Sequence, residues 1–190
     1  QNFRTAVGIF ETLRLYGMNY AIDPNSSYIE LSENTLAVDF LQFPSQSLTY
    51  RAGDCDDLSI LFSALLESVN IETAFITIPG HIYMAFSLGL TEKEAKKEFT
   101  NTDNFFYQDD IAWVPVEITL VTDSFIEAWE TGARQWRDAS SKDLAGFYPV
   151  RSAWESYEQV SISGTALPLL FPATGSIVSG YKSSIDVFVD

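Results

Sequence analysis

The sequence predicts an α+β fold in which a buried helix over Cys55–Ser68 packs on a mostly antiparallel β-sheet. Three observations carry this. Leu58, Leu61, Phe62, Leu65, Leu66 and Val69 recur at helical spacing, the strongest such pattern in the chain. Two runs rich in β-branched and aromatic residues, Glu72–Ile78 and Ile82–Leu88, follow it and are separated by Pro79-Gly80, the signature of two antiparallel strands joined by a tight turn. Of the 190 residues, 46% are hydrophobic and only 19% charged, which excludes intrinsic disorder and suits one ordinary domain.

Each element has its own local reason. Phe3, Ala6, Val7, Phe10, Leu13 and Tyr16 make one apolar stripe of an N-terminal helix that Gly17 stops. Met18 to Tyr50 reads as loop, with Asp23-Pro24-Asn25-Ser26-Ser27 and Pro44-Ser45-Gln46-Ser47 as turn clusters. Asp54 is a good N-cap for the central helix and Asp57 puts a second carboxylate in its first turn, so Cys55 is the first helical residue. In the second strand, alternation sets His81, Tyr83 and Ala85 on one face and Ile82, Met84 and Phe86 on the other. Thr91-Glu92-Lys93-Glu94 is a capping box for a helix to about Phe99, and Asn101–Asp110 reads as a polar, acidic loop. Ile111–Thr119 is a strand with Trp113, Pro115 and Glu117 on one face, Pro115 pointing to an edge or a bulge. Phe125, Ala128, Trp129, Ala133 and Trp136 form the stripe of a helix over Ser124–Trp136. After Phe147 the helix signals fade and Ser176–Val189 reads as one or two short strands. The domain reading is a core over residues 1–146, with an insert at about 88–110, and a β-rich extension over 147–190 packed on the same domain.

Eleven Lys and Arg against 26 Asp and Glu give a net charge of −15, which repels phosphate backbones and excludes nucleic acid as an expected partner. No apolar run approaches the roughly 18–20 residues of a membrane span, so no membrane insertion is expected within this chain. The start, Gln1-Asn2-Phe3-Arg4, has neither an initiator Met nor a signal-peptide layout and reads as part of a longer, multidomain protein. One cysteine excludes an internal disulfide and a cysteine-rich zinc site, leaving Cys55 as either a small buried hydrophobe or a nucleophile.

The first turn of a helix favours the nucleophilic thiolate, because its unpaired N–H groups carry partial positive charge. Asp54, Asp56 and Asp57 oppose this unless they turn away or a cation offsets them. A general base for a thiol is an imidazole within hydrogen-bond reach, and His81 is the one histidine. Glu117, on a strand able to pair beside that of His81, has the character of a third triad member that holds the imidazole tautomer. Singly, each residue has an ordinary structural role open to it.

The residues around them carry a family likeness. Tyr50-Arg51-Ala52-Gly53-Asp54-Cys55-Asp56-Asp57-Leu58-Ser59, continuing through Leu65 to Ala74, resembles the bacterial transglutaminase-like core, with its Gly-Asp-Cys helix start. Gly80-His81-Ile82-Tyr83-Met84-Ala85-Phe86 is similar to its histidine strand, and Trp113-Val114-Pro115-Val116-Glu117-Ile118-Thr119 to its third-member strand. The resemblance covers about residues 40–120. It implies a papain-like fold with Cys55 as nucleophile, His81 as base and Glu117 as orienting carboxylate, where the usual residue is Asp. It also implies a cysteine peptidase or acyltransferase acting on a protein or peptide substrate in the bacterial periplasm or cell envelope.

Further resemblance, to calcium-dependent transglutaminase-like cysteine peptidases, makes Asp54, Asp56 and Asp57 possible calcium ligands, although capping grounds favour Asp54 as a helix cap and no metal. Gln46 and the Cys55 backbone N–H are candidates for an oxyanion hole, with a surface turn the competing role for Gln46. Trp113, Trp129, Trp136 and Trp154 either line a groove or fill the core. The 88–110 insert has the character of a lid or a substrate wall. Two functions follow: thiol-dependent acyl transfer on peptide or glutamine-type amides, or a non-catalytic protein-binding module on the same fold.

Overall fold

The first helix, α1 (Asn2–Tyr16), ends where Gly17 takes φ 87°, a left-handed conformation open to glycine, and the Gly17 and Met18 N–H groups close onto the Arg14 and Leu13 carbonyls. The computed structural model describes residues 1–22, 41–160 and 169–185. After α1 come β1 (Asn19–Tyr20), α2 (Pro44–Tyr50), β2 (Ala52–Gly53), α3 (Cys55–Ser68), β3 (Thr73–Ile78) and β4 (His81–Thr91). There follow α4 (Glu92–Glu98), β5 (Phe106–Gln108), β6 (Ile111–Val116), a 3-10 turn (Ile118–Leu120), α5 (Phe125–Ser140), β7 (Gly146–Pro149), α6 (Val150–Trp154) and α7 (Thr174–Ile185).

The fold is α+β. Its main sheet is antiparallel, in the order β5-β6-β4-β3-β7, while β1 and β2 form a separate parallel pair. The main sheet is strongly curled. Phe106 and Phe147 lie on its two edge strands, which strand spacing in a flat sheet would hold about 19 Å apart, yet their ring centroids are 5.5 Å apart. Ala74, Ile76, Tyr83, Ala85 and Trp113 join them on this concave face. The alternate residues Met84, Phe86, Val114 and Val116 pack on the other face against Leu58, Leu61 and Phe62 of α3, with Phe3, Val7 and Phe10 of α1. The period-two pattern of β4 thus sorts its side chains between two cores, and His81, stacked on Tyr83 at 5.8 Å, continues the concave row.

Local sequence misleads in five places. Pro44-Ser45-Gln46-Ser47 is a helix start rather than a turn: Phe43 is the N-cap and Pro44 opens α2, where a missing N–H costs nothing. Part of the expected Asn101–Asp110 loop is β5, joined to β6 by Asp109 and Asp110, both left-handed at φ 51° and 62° as a two-residue hairpin turn requires. Pro115 lies on an interior strand, but β5 ends opposite Trp113, so at Pro115 β6 pairs with β4 alone. The 88–110 insert packs into the core: Phe99 meets Phe3 at 5.5 Å and Phe105 stacks on Trp129 at 5.2 Å. Among its described residues the C-terminal extension is not β-rich. Its first strand, β7, pairs with β3 across the expected 146/147 boundary, and Thr174–Ile185 is a helix.

The reason for the last difference is tertiary. Ile177, Tyr181 and Ile185 read locally as β-formers, but their spacing of four makes one helical face, and Ser184 is buried with its hydroxyl donating to Glu11 at 2.8 Å on α1. Asp23-Pro24-Asn25-Ser26-Ser27 and residues 186–190 lie outside the described residues. Among the described residues, no helix is long and apolar enough to cross a membrane.

Candidate functional site

The start of α3 is built by a close approach that glycine allows. A Cβ on Gly53 would stand 2.7 Å from the Asp57 Cβ, so this position has no space for a side chain. Asp54 and Asp57 then form a reciprocal cap: each side chain accepts the other's backbone N–H at 3.4 Å. Asp57 also accepts the Gln42 backbone N–H at 2.7 Å and the Gln42 side-chain amide at 2.5 Å, tying the segment before α2 to the helix start. Cys55 becomes the first residue of α3, 7% exposed, at the turn whose N–H groups a helix leaves unpaired.

Gly80, at φ 73°, turns the chain from β3 into β4 and brings His81 to the strand start opposite Ile78. Its Nε2 donates to Glu117 Oε2 at 2.6 Å, and Cys55 shares a side-chain hydrogen bond with the ring. With Nε2 engaged, Nδ1 is the nitrogen left for sulfur. Glu117 leaves β6 as the N-cap of the 3-10 turn and is only 3% exposed. Its Oε1 accepts the Thr119 N–H at 3.2 Å and the Thr119 hydroxyl at 2.6 Å, and Gln135 on α5 adds a side-chain hydrogen bond.

Burial acts to push the His81 imidazolium down, but the hydrogen bonds and negative charge of Cys55 and Glu117 outweigh it and raise the ring from 6.5 to about 9. Burial likewise pushes the Glu117 carboxyl up and loses to His81, Thr119 and Gln135, so its net direction is down. The pair is therefore an imidazolium facing a carboxylate at neutral pH. Asp56 goes the other way. Burial, then the hydrogen bond and charge of Asp54, push it up to about 7. Tyr20, paired through β1 with Gly53, is 43% exposed. Its pairing with Gly53 sets it beside the start of α3, and burial and the charges of Cys55, Asp54, Glu117 and Asp56 raise its phenol.

The structure thus brings Cys55, His81 and Glu117 together. Gln46 serves elsewhere: its side-chain oxygen accepts the Phe43 N–H at 2.8 Å within the α2 cap. Trp113 and Trp129 are buried in the two cores, Trp136 stacks on Phe106 at 4.2 Å, and Trp154 is exposed. Tyr20, Gln42, Thr119 and Gln135 were not expected at the site. Only Thr119, two residues from Glu117, had a local signal; the others arrive through pairing or helix packing.

Asp54, Asp56 and Asp57 bring ligand atoms within 4.8 Å of one another. Both Asp57 oxygens accept N–H groups, Asp54 Oδ1 accepts another, and Asp56 is hydrogen-bonded to Asp54. Among the described residues this donor set works as a helix cap, and a calcium shell of six to eight oxygens would need ligands beyond these three side chains. Comparison of the chain with protein-family models and with curated proteins finds no match.

Proposed function

We propose that this chain is a cysteine peptidase or acyltransferase of transglutaminase-like, papain-like fold, acting on peptide or glutamine-type amides of a protein or peptide substrate. The observation that carries the reading is that the sole histidine joins the sole cysteine to a buried glutamate, with a 2.6 Å bond to the glutamate. The Cys55 sulfur attacks the amide carbonyl carbon, a C–S bond forms, and the carbonyl π pair moves to oxygen. The N–H groups at the start of α3, including that of Cys55, meet the oxyanion. His81 gives its proton to the departing nitrogen as the C–N bond breaks, leaving a thioester. Water or an amine attacks the thioester, His81 takes the proton of the attacking group, and the Cys55 sulfur leaves. Glu117 holds the ring and its positive charge throughout. The resemblance of the three motifs adds a bacterial cell-envelope setting to this proposal.

The test is covalent trapping. Incubation with an activated peptide ester at pH 6 should yield an acyl adduct on Cys55 by mass spectrometry, and iodoacetamide should alkylate Cys55 faster than a free cysteine peptide does. Cys55→Ala should lose the adduct while its unfolding free energy stays within about 1 kcal/mol of wild type, because the change removes one small group at a helix end. Alkylation no faster than the free peptide, with no adduct, would favour the non-catalytic binding module.

A further inference from the structure

We propose that Gln135 on α5 is a positioning residue that holds the Glu117 carboxylate against His81. The proposal rests on the acyl-transfer reading only for the reaction that is positioned. The contact between α5 and the strand bearing Glu117 leaves no slack: a Cβ on Gly132 would stand 2.9 Å from the Pro115 carbonyl oxygen and 3.0 Å from the Glu117 nitrogen. Glu117 donates its N–H to the Ala128 carbonyl at 3.0 Å, and the Tyr83 hydroxyl donates to the Gly132 carbonyl at 3.3 Å. Ala128, Gly132 and Gln135 follow one another at four and three residues, so a single face of α5 lies behind the His81–Glu117 pair.

A carboxylate only accepts, so the Gln135 amide nitrogen is the donor in its bond to Glu117. The amide oxygen is buried with no hydrogen-bond partner among the described residues. Turning the amide over would set that oxygen against the carboxylate, so the contact with Glu117 fixes its orientation. The chemistry of the residue suits the task. Glutamate has one more rotatable bond than the aspartate usual in the resembling family, and His81 and Thr119 alone approach it from the β4 and 3-10 sides. A donor from α5 adds a third direction of restraint. Because the amide is neutral, it stabilises the carboxylate without cancelling the negative charge that the imidazolium needs, as a Lys or Arg would.

Among the described residues, the titratable groups facing Glu117 are His81 and Tyr83 from β4 and Tyr20 from β1, and Cys55 from α3 faces His81. His81 is the one histidine in the chain, so its ring resonances can be titrated by NMR without ambiguity. Gln135→Leu and Gln135→Met keep the bulk and remove the donor. In both, the His81 midpoint should fall by roughly half a pH unit to one unit, a three- to tenfold loss of proton affinity. The kcat for the activated ester should fall roughly tenfold with KM little changed. A folded variant with an unmoved midpoint would overturn the proposal. Should neither variant fold, the wild-type protein decides: the Gln135 side-chain NH2 should be protected from solvent exchange and follow the His81 titration, and free exchange would overturn the proposal. A shifted midpoint in a protein that forms no acyl adduct would leave the positioning role standing and remove the proposed reaction.

Discussion

Two buried carboxylates belong to this corner, Asp56 next to Cys55 in the chain and Glu117 behind His81, and burial does the same thing to both before their partners separate them. At Glu117 the partners are donors: an imidazolium, a backbone N–H, a hydroxyl and an amide, and the carboxyl is held below its usual range. At Asp56 the chief partner is another carboxyl, Asp54, and the group is pushed up to about 7. Depth alone therefore does not decide charge in this site. One side of the cysteine is built to keep a full negative charge aimed at His81, and the other loses part of its charge by sharing a hydrogen bond between two acids.

Removing Glu117 should break this contrast most severely. Glu117→Ala leaves the imidazolium without its counter-charge, and kcat/KM should fall about 10³–10⁴-fold, the scale seen when a triad carboxylate is lost. Stability at pH 7 should fall by about 3–5 kcal/mol, the usual result of deleting one partner of a buried pair. Steady-state kinetics and chemical denaturation check the two numbers. A variant with nearly unchanged turnover would reduce the triad to a Cys55–His81 dyad.

The pH dependence of stability sharpens the contrast, because the two corners have opposite signs. The His81 ring is raised from 6.5 to about 9 on folding, so its contribution is full below pH 6.5 and is lost as pH rises through 9. Glu117 is lowered from 4.5, so its contribution is present above that value and lost as pH falls through the folded value. The pair is therefore intact across the neutral range. Asp56, raised from 3.8 to about 7, binds a proton in the folded state that the unfolded chain has released, so it costs stability as pH rises through that interval. Asp56→Asn keeps a donor for Asp54 and removes the ionisation. It should melt like wild type near pH 4 and be more stable by about 1–3 kcal/mol at pH 8. Equal melting at both values would show that Asp56 is not held up by its surroundings. The smallest effect belongs to calcium. Excess chelator or added Ca²⁺ should leave the melting temperature within about 1 °C and the ester kinetics unchanged, since the acids already cap α3. A reversible loss on chelation would replace the cap with a metal site.

Much of this corner is legible in the sequence because its logic is local. Asp54, Asp57 and the apolar spacing from Leu58 onward define α3 to the residue, since capping and helical periodicity are read within a few positions. The Pro79-Gly80 turn and the alternation of β4 place His81 at a strand start on the Tyr83 side for the same reason. Gln46 misleads because a Pro-Ser-Gln-Ser run suits a turn and a helix N-terminus equally, and only the helix that follows tells them apart. Thr174–Ile185 misleads because its β-branched residues become helical through packing on α1, far away in the chain.

The order of residues along the chain supplies local stations: a cysteine at a helix start, a histidine at a strand start, and a glutamate within an expected strand over Ile111–Thr119 that in the folded chain ends at Val116. Packing between distant segments sets the rest: the sheet curls, Glu117 is buried within 2.6 Å of His81, and Gln135 and Tyr20 come to the same corner. The physical reason is range. Caps, turns and periodicity act over one or two helical turns of chain. The charge on a buried carboxylate instead depends on which donors and acids the folded chain packs around it.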